Sequence, residues 1–481
     1  MPEYDLIFRG GTILDGSGQA RFSADLAVTG DRIAAIAHPL PGRGHDEIDA
    51  SGMMIAPGFI DVHTHDDALL LHSPDMTPKI HQGVTSVIVG NCGISLAPLT
   101  LSAPPVPPLD LLGDARGFRF PTFADYADAL RDQPPAVNAL TLIGHMTLRA
   151  GVMDRLDRAA TPVEVSAMQD RLRQSLAAGA WGLSSGLAYP PSRDAPMAEL
   201  VSLAEVLRPF GGIYTTHLRQ EADQVIAALA EAIGTAGAAQ VALVISHHKC
   251  LGALAWGKSI ETLAMIEEAN RRQSVALDAY PYCASSTILH PDFVDRAERV
   301  TLTWSAQDPG AAGADLDVLA DGWGISRRSA AERLVPGGAI YFSMQESDVQ
   351  RILAYPRTMI GSDGLPHDRR PHPRLWGTFP RVLGHYARDI GLFPLETAVH
   401  KMTGLSAAEF GLTGRGLIIP GFFADLTLFN PDRVLDRATY AEPTRPPVGI
   451  EHVLVNGRFA LRDGQPTGTR NGRLLHRPSP L

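Results

Sequence analysis

Residue types that bind metal ions stand at the ends of several short apolar segments of the chain. They are His63 and His65 in DVHTH, Cys92 in GNCG, His217 in TTHLR, His247 and His248 in SHHK, and Asp363 in GSDG. Residues two apart on a strand face the same side, so His63 and His65 can reach one ion. Such a pair alone occurs often by chance, but core histidines have no reason to recur at other segment ends. The sequence therefore predicts a metal site.

Cys92 is one of only three cysteines in 481 residues and stands between Asn91 and Gly93. A free cysteine is most often a small buried apolar side chain. A thiolate is also a strong zinc ligand, and zinc accepts Cys, His and carboxylate together in tetrahedral sites that keep one position for water. Because Gly90, Asn91 and Gly93 allow the backbone to bring the sulfur close to an ion, we expect Cys92 to bind zinc.

His217 and His247 are the expected partners of Cys92 at this zinc. Neighbouring residues on a strand face opposite ways, so only one residue of the His247–His248 pair can point inward, and we assign His247 to the metal. Asp363 lies at the last segment end, where a carboxylate can bind metal or move a proton. The alternative is that Asp363 only begins a turn, since Asp-Gly is a common turn pair.

The elements that would position these residues form a regular alternation of apolar runs and amphipathic helical patterns. Eight runs are nearly continuously apolar, as strands covered on both faces are. They are MIAPGFIDVHTH, VTSVIVGNCG, NALTLIGHM, AWGLSSGLAY, GGIYTTHLR, VALVISHHK, SVALDAYPY and TMIGSDG. Eight such units predict an α/β fold, a (β/α)8 TIM barrel, in which catalytic groups project from the carboxyl ends of the strands.

Both ends of the chain consist instead of short alternating segments joined by turns. We expect residues 1–57 and 415–481 to form one small β-sandwich domain, and residues 58–414 to form the barrel. The stretch of about residues 284–340, between the seventh and eighth runs, is too long for a plain connection. It predicts an inserted subdomain over the barrel mouth.

Composition narrows the class of partner. A formal net charge of −10 and the lack of a concentrated basic block argue against nucleic acid. No run of about 18 apolar residues is present, which argues against a membrane span. The amino terminus lacks a basic segment followed by an apolar one, so we expect a cytoplasmic protein. The expected partner is a small-molecule substrate.

Several motifs together resemble those of one enzyme superfamily. GFIDVHTHDD, GNCGIS, TTHLRQE, SHHK and GSDGLPHDRRPHPRLWGTFPRVLG are similar to the amidohydrolases, and among them to the N-acyl-D-amino-acid deacylases, or D-aminoacylases. The resemblance runs nearly from end to end of the chain. Its specific element is the cysteine at the end of strand two, where most amidohydrolases have a lysine or a glutamate as the further ligand.

The resemblance implies a ligand set and a proton carrier. A tightly held zinc would be bound by Cys92, His217 and His247, and a second, often weak or empty, site would be formed by His63, His65 and Asp363. Asp363 would carry the proton. The residues implied to hold the substrate carboxylate are Tyr189, Lys249, Arg374 and Ser286 or Thr287. Two residues of this set, Lys249 and Arg374, are cations, and cations near the metal favour an anionic substrate.

The function that follows is zinc-dependent hydrolysis of the amide bond of N-acyl-D-amino acids. The apolar stretch STILHPDFV favours a hydrophobic side chain, whereas Arg296 and Arg299 leave an acidic D-residue open. Rival enzymatic hypotheses are the hydrolysis of a cyclic amide such as a hydantoin, or of a dipeptide with a D-residue. Cys92 counts against the cyclic-amide enzymes, since those carry a bridging lysine. A zinc-binding scaffold is the rival outside enzymes, and it would require the loss of Asp363 or of a ligand.

Overall fold

A barrel of eight parallel strands forms the centre of the molecule in a computed structural model, which describes residues 3–477. Each strand pairs with its neighbours in chain order. Barrel strands 1 to 8 span Phe59–Asp61, Val84–Val89, Asn138–Gly144, Gly182–Gly186, Ile213–His217, Ala242–Ile245, Val275–Ala279 and Thr358–Ile360. A parallel bridge between Thr64 and Gly364 joins the ends of strands 8 and 1. The (β/α)8 barrel expected from the eight apolar runs is confirmed.

Helices connect the strands. The α-helices outside the insertion span Leu69–His72, Thr77–Ile80, Phe123–Asp132, His145–Val152, Pro162–Ala177, Pro190–Arg193, Met197–Ala204, Val225–Ala239, Ser259–Ala269, Glu346–Ala354, Arg374–Arg381, Leu395–Met402 and Gly404–Phe410. Short 3₁₀ helices span Leu109–Leu112 and Glu205–Phe210, and a π-helical segment spans Val382–Asp389. A small two-stranded sheet pairs Leu99–Thr100 with Arg119–Phe120.

The helix Pro162–Ala177 shows how local sequence defines these elements. Thr161 caps its first turn by accepting from the backbone N–H of Glu164, and the Glu164 carboxylate accepts from Thr161 N at 2.8 Å. Proline at the first helical position loses no hydrogen bond, because that N–H has no partner within the helix. The sequence Thr-Pro-Val-Glu thus places the start of this helix.

Strands from both ends of the chain join in one nine-stranded sheet. In spatial order eight strands are Gln465–Pro466, Arg458–Arg462, Ile450–Val455, Leu426–Phe429, Met54–Pro57, Tyr4–Ile13, Phe22–Thr29 and Arg32–Ala37, and Gly44–Asp49 pairs with Tyr4–Ile13. The two chain ends meet where Leu426–Phe429 runs antiparallel to Met54–Pro57. The small β domain built from both ends is therefore confirmed, whereas its limits at residues 57 and 415 stay a prediction.

The insertion after barrel strand 7 has its own sheet and its own apolar core. Its three antiparallel strands are Ala284–Ile288, Gly337–Phe342 and Arg299–Ser305, with Gly337–Phe342 in the middle. Its helices span Pro291–Val294, Pro309–Ala311, Leu316–Trp323 and Arg327–Leu334. The core includes Val294, Leu302, Leu316 and Leu334. An element with a separate core can sit over the barrel mouth without contributing to the packing of the barrel.

Within residues 3–477, no helix has both the length and the apolar character needed to cross a membrane. The cytoplasmic location and the lack of a nucleic-acid partner stay predictions from composition.

Candidate metal centre and active-site cavity

Cys92 lies among the strand ends, between two imidazoles. Its Sγ is 3.3 Å from Nε2 of His63 and 3.2 Å from Nε2 of His247. Asp363 Oδ1 is 3.6 Å from Nε2 of His63 and 3.3 Å from Nε2 of His65. His63, Cys92, His247 and Asp363 each offer a donor atom within 4.8 Å of the others, and all four are buried. A thiol, two imidazoles and a carboxylate thus converge in the barrel mouth.

The backbone takes an uncommon conformation at three of these residues. Cys92, His247 and Asp363 have φ of 53°, 35° and 49°, in the left-handed region that residues other than glycine rarely adopt. Such strain persists only where the surrounding structure holds it, and it concentrates at functional sites. Gly90 is also required here, because a Cβ on it would lie 2.0 Å from the carbonyl oxygen of Leu142. Strand 2 therefore approaches strand 3 closely just before the cysteine.

Burial determines the protonation of the donors. It lowers the pKa of His63 and of His247 to about 3, so both imidazoles are neutral at neutral pH and keep a lone pair for a metal. Burial also raises the pKa of the Cys92 thiol well above its usual value, with Asp363 adding to the effect. A thiolate at this place needs a cation beside it, and zinc is bound by this combination of ligands. The donor set fits zinc.

His217 belongs to a second group of donors that shares His247 with the first. Its Nε2 is 3.2 Å from a carboxylate oxygen of Glu221, and its ring meets the ring of His247 edge-on with centroids 4.4 Å apart. His217, Glu221 and His247 have donor atoms within 4.8 Å of one another. Among residues 3–477, no group of three or more donors at that distance contains both Cys92 and His217. His217 thus adjoins the cysteine group through His247.

Lys249 occupies the space between Glu221 and His247. Its Nζ is 2.7 Å from Oε1 of Glu221 and 2.6 Å from Nδ1 of His247. Burial raises the pKa of Glu221, but His217, Lys249 and His247 lower it more, and the net pKa is well below the usual value. The Lys249 ammonium thus balances the charge of the Glu221 carboxylate.

Glu221 and Asp278 are two carboxylates of this site that the sequence interpretation missed. Oδ1 of Asp278 accepts a hydrogen bond from the backbone N–H of His247 at 2.9 Å, and its Oδ2 is 3.3 Å from Nδ1 of His63. Burial raises the pKa of Asp278 to about 7. Both residues had a usable signal, since Glu221 follows His217 by four positions and Asp278 is a lone acid in the apolar run SVALDAY.

Arg374 stands behind the proton carrier expected from the sequence. Its guanidinium places Nη1 2.9 Å from Oδ2 of Asp363 and donates from Nη2 to the carbonyl oxygen of Ser286 at 2.9 Å. The guanidinium also lies over the ring of Tyr280, 4.5 Å from its centroid. The side chain is fully buried and does not line the cavity described below. Arg374 therefore contacts Asp363 directly.

The other residues expected to hold the substrate lie on the wall of one cavity. Tyr189 joins the barrel to the insertion through a 3.0 Å hydrogen bond between its hydroxyl and Oγ1 of Thr287, and its ring packs edge-on against His217. Ser286 Oγ is buried and has no hydrogen-bond partner in the described chain. Lys249 and Thr287 line the same wall.

The cavity has a volume of about 690 Å³ and extends from the metal centre to the insertion. At its inner end lie His65, His217, His247 and Asp363. At its outer end the wall is formed by Phe293, Arg296, Ala297 and Tyr341 of the insertion, together with Arg193, Arg219 and Gln224 of the barrel loops. A site of this kind can bind a small molecule and hold a carbonyl group against a metal ion and a carboxylate base.

Comparison with known proteins identifies the family. The amidohydrolase family matches residues 46–354 and 329–460. D-aminoacylase of Alcaligenes xylosoxydans xylosoxydans is 54% identical over 474 residues, which cover 98% of each chain.

Two solved structures are similar over nearly the whole chain. A D-aminoacylase whose binuclear metal centre shows one-metal activation and second-metal attenuation has a TM-score of 0.97 and 52% identity, covering 98% of this chain and 100% of that one. N-acyl-D-glutamate deacylase from Bordetella bronchiseptica, complexed with zinc and a phosphonate inhibitor, has a TM-score of 0.95 and 46% identity, covering 98% and 99%. The chain belongs to the amidohydrolase superfamily, and within it to the family of the N-acyl-D-amino-acid deacylases, or D-aminoacylases.

Proposed function

We propose that the protein hydrolyses the amide bond of N-acyl-D-amino acids with zinc, giving a carboxylate and a free D-amino acid. One observation carries this function. The Cys92 thiol lies 3.2–3.3 Å from two neutral imidazoles and beside the Asp363 carboxylate, in a chain 54% identical to a D-aminoacylase.

The zinc would be held by Cys92, His217 and His247, and a weaker second position would be formed by His63, His65 and Asp363. The Cys92 thiol 3.2 Å from Nε2 of the buried, neutral His247, and the edge-on contact of His217 with His247, support the zinc set. A zinc ion in this place supplies a Lewis acid for the acyl oxygen and lowers the pKa of water from about 15.7 toward about 7. Asp278 keeps the ring of His63 and the backbone of His247 in place.

Asp363 carries the proton. Its Oδ2 is engaged by Arg374, so Oδ1, which faces His63 and His65, is the atom that accepts the proton of the attacking water. The same oxygen then returns the proton to the amine nitrogen as the amide bond breaks. Proton transfer by a group positioned in this way typically contributes about 10² to 10⁴-fold to the rate.

Lys249, Ser286, Thr287 and Tyr189 are the groups we propose for the α-carboxylate of the substrate, with Arg374 behind them. Ser286 Oγ is a buried hydroxyl that is free to donate, within the chain as described. Arg374 bonds the carbonyl oxygen of Ser286 and so positions that residue relative to Asp363. Chirality follows when the carbonyl, the carboxylate and the side chain are each fixed, because the L isomer would direct its side chain into the wall.

A hydrophobic side chain is the substrate class we propose. Leu251, Phe293, Ala297 and Tyr341 supply apolar surface to the cavity wall. An acidic side chain is the second candidate, since Arg296 lines the same wall. The cyclic-amide hypothesis is weaker, because Cys92 stands where those enzymes would carry a lysine. A scaffold role is weaker as well, because Asp363 and all the expected donors are present.

The test is a screen of N-acetyl-D-amino acids and their L isomers with a metal analysis of the same preparation. We expect release of acetate from the D series alone, and its loss after treatment with a chelator. Equal rates for the two series, or activity that survives complete removal of zinc, would contradict the proposal.

A further inference from the structure

The helical turn that follows Tyr189 makes few backbone hydrogen bonds of its own. It spans Pro190–Arg193, and its first two residues are prolines, which have no backbone N–H. The Ser192 amide donates to the carbonyl oxygen of Tyr189 at 3.0 Å, and the Asp194 amide donates to that of Ser192. A helix this short is not stable by itself in water. Contacts with the rest of the protein must therefore hold the turn, and with it the backbone of Tyr189.

Arg149, which lies just after barrel strand 3, holds the turn by one of its carbonyl groups. Its Nε donates to the carbonyl oxygen of Pro191 at 3.1 Å. Nη1 is 2.5 Å from Oε1 of Glu199, and Nη2 donates to the carbonyl oxygens of Leu156 and Arg158. The side chain is fully buried and is not part of the described cavity wall. The planar guanidinium thus joins the turn to three other segments of the chain.

Glu199 is itself fixed by groups other than Arg149. Nε2 of His145 is 2.9 Å from its Oε1, and the backbone N–H of Ala160 donates to its Oε2 at 3.1 Å. Burial raises the pKa of Glu199, but His145 and Arg149 lower it more, to about 2. The carboxylate is therefore ionised at neutral pH, and it orients the guanidinium whose Nε reaches the turn.

Arg219, which lies just after barrel strand 5, holds two more carbonyl groups of the same loop. Its Nη1 donates to the carbonyl oxygen of Arg193 at 2.6 Å, and its Nη2 donates to that of Ala195 at 3.0 Å. Glu231 accepts from Nε at 2.8 Å and from Nη2 at 2.7 Å. Strand 4, which leads to Tyr189, pairs with strands 3 and 5. The two arginines therefore reach the turn from the strands on either side of its own.

We propose that Arg149 and Arg219 are positioning residues for Tyr189. By fixing the turn they set the place of the Tyr189 hydroxyl, which is 3.0 Å from Oγ1 of Thr287, and of its ring, which lies edge-on against His217. The inference rests on the proposed deacylase function, in which Tyr189 helps to hold the substrate carboxylate. A shift of the turn would move the hydroxyl away from the place where that carboxylate binds.

The variants are Arg149→Lys and Arg219→Lys, with Arg388→Lys as the matched control. Lysine keeps the positive charge beside each glutamate, but its donors share one nitrogen and cannot reproduce the spread of the guanidinium contacts. Arg388 also bonds one carboxylate and the carbonyl oxygens of Pro431 and Val434, outside the described cavity wall. Arg219 is partly exposed, so its variant carries the test if the variant of the fully buried Arg149 does not fold.

The first readout is hydrogen exchange of residues 187–196 in the zinc-loaded enzyme, which does not depend on activity. We expect the amides of Ser192, Asp194 and Ala195 to exchange about tenfold faster in both lysine variants, because the turn opens more often. They should exchange at the wild-type rate in Arg388→Lys. Wild-type exchange in the folded lysine variants as well would overturn the inference.

The second readout is a double-mutant cycle with Tyr189→Phe on N-acetyl-D-leucine. We expect each lysine variant to raise KM about tenfold and to leave kcat within about twofold, since a carboxylate contact is made in the ground state and the transition state alike. In the Tyr189→Phe background the same changes should alter KM by less than about twofold, because the hydroxyl that they position is gone. Equal effects in both backgrounds would show that the arginines do not act through Tyr189, and would overturn the inference.

Failure of the inference differs from failure of the proposed function. If the wild-type enzyme cleaves N-acetyl-D-leucine but either readout gives its contrary result, only the positioning role is overturned. If the wild-type enzyme cleaves no N-acyl-D-amino acid, the proposed function fails, and the role of the two arginines in substrate binding fails with it. Hydrogen exchange then still decides whether they hold the turn.

Discussion

Arg374 and Asp363 form a buried ion pair, with Nη1 2.9 Å from Oδ2, at the end of barrel strand 8. Burial alone would raise the pKa of this carboxyl, but the Arg374 guanidinium and the His247 and His65 imidazoles lower it more, and the net pKa is well below the usual value. Asp363 is therefore ionised over the whole neutral range. The carboxylate is thus held in the deprotonated form, which can accept a proton from water.

Replacing Arg374 should move the pH dependence of catalysis. In Arg374→Gln the main group that lowers the pKa of Asp363 is gone, so this pKa should rise. The base form is lost as pH falls through that pKa, so the acidic limb of kcat/KM should shift to higher pH. The measurement is a pH–rate profile from pH 4 to 9. An unshifted acidic limb would show that Arg374 does not hold Asp363 in its ionised form.

Asp363→Ala should separate proton transfer from metal binding. We expect turnover to fall by about 10² to 10⁴-fold or below detection, because the water and the leaving amine lose their proton carrier. Zinc content should largely persist, since Cys92, His217 and His247 are unchanged. Steady-state rates and elemental analysis on one preparation give both numbers. Near-normal turnover would remove Asp363 from the proton-transfer step.

The expected residues came from strand ends, and the missed ones from contacts that only the fold creates. The HxH spacing, Cys92 and Asp363 are visible because each ends an apolar run, and a parallel barrel gathers such ends at one rim. Glu221 and Asp278 do not end an apolar run, so this pattern does not indicate them. Their carboxylates meet His217, His247 and His63 across strands 5 to 7 and 1, and such pairings depend on side-chain orientation, which the periodicity of one strand does not determine.

The same limit applies to the substrate residues. A sequence motif predicts that Arg374 belongs to the site, but whether its guanidinium faces the cavity or the Asp363 carboxylate depends on packing against Tyr280 and Ser286. The barrel was predictable from the number and length of the apolar runs, and the insertion from the long gap after strand 7. The charge pairing around the cavity was not.

Cys92→Ala should abolish zinc binding, and Cys250→Ala is a matched control. Both cysteines are buried, but only Cys92 lies 3.2–3.3 Å from imidazole nitrogens. Burial raises the pKa of Cys250 to about 12, which keeps it a neutral thiol. We expect zinc content and activity to be lost together in Cys92→Ala and to persist in Cys250→Ala. Stoichiometric zinc in Cys92→Ala would show that the thiol is not a ligand.

Lys79 should matter for stability. Its fully buried ammonium is 2.8 Å from Asp61, 3.2 Å from Asp66 and 2.9 Å from the hydroxyl of Ser362, beneath His63 and Asp363. In Lys79→Met two buried carboxylates would lose their cation, which typically costs about 3–5 kcal/mol. Urea unfolding followed by circular dichroism measures the loss. Lys258→Met is the control, because Lys258 donates to the carbonyl oxygen of Asp223 in an exposed contact; a loss as small as in that control would contradict the prediction.

Lys401 should make stability depend on pH above neutrality. Its buried Nζ donates to the carbonyl oxygens of Tyr355 and Thr358. Burial lowers the pKa of Lys401 to about 7. The unfolded chain, with a pKa near 10.4, binds a proton between pH 7 and 10 that the folded chain does not bind. The free energy of unfolding should therefore rise with pH in this window, by up to about 1.4 kcal/mol per unit from this group.

The matched variant for that prediction is Lys401→Met, which keeps the length of the side chain but cannot bind a proton. Urea unfolding of both proteins at pH 7, 8 and 9 gives the two slopes, and their difference isolates Lys401 from the other groups that titrate. A steeper rise in the wild type than in the variant is expected, because only the wild-type unfolded state takes up the extra proton. Equal slopes would mean that Lys401 is protonated in the folded state, so that its two carbonyl contacts offset the cost of burying the charge.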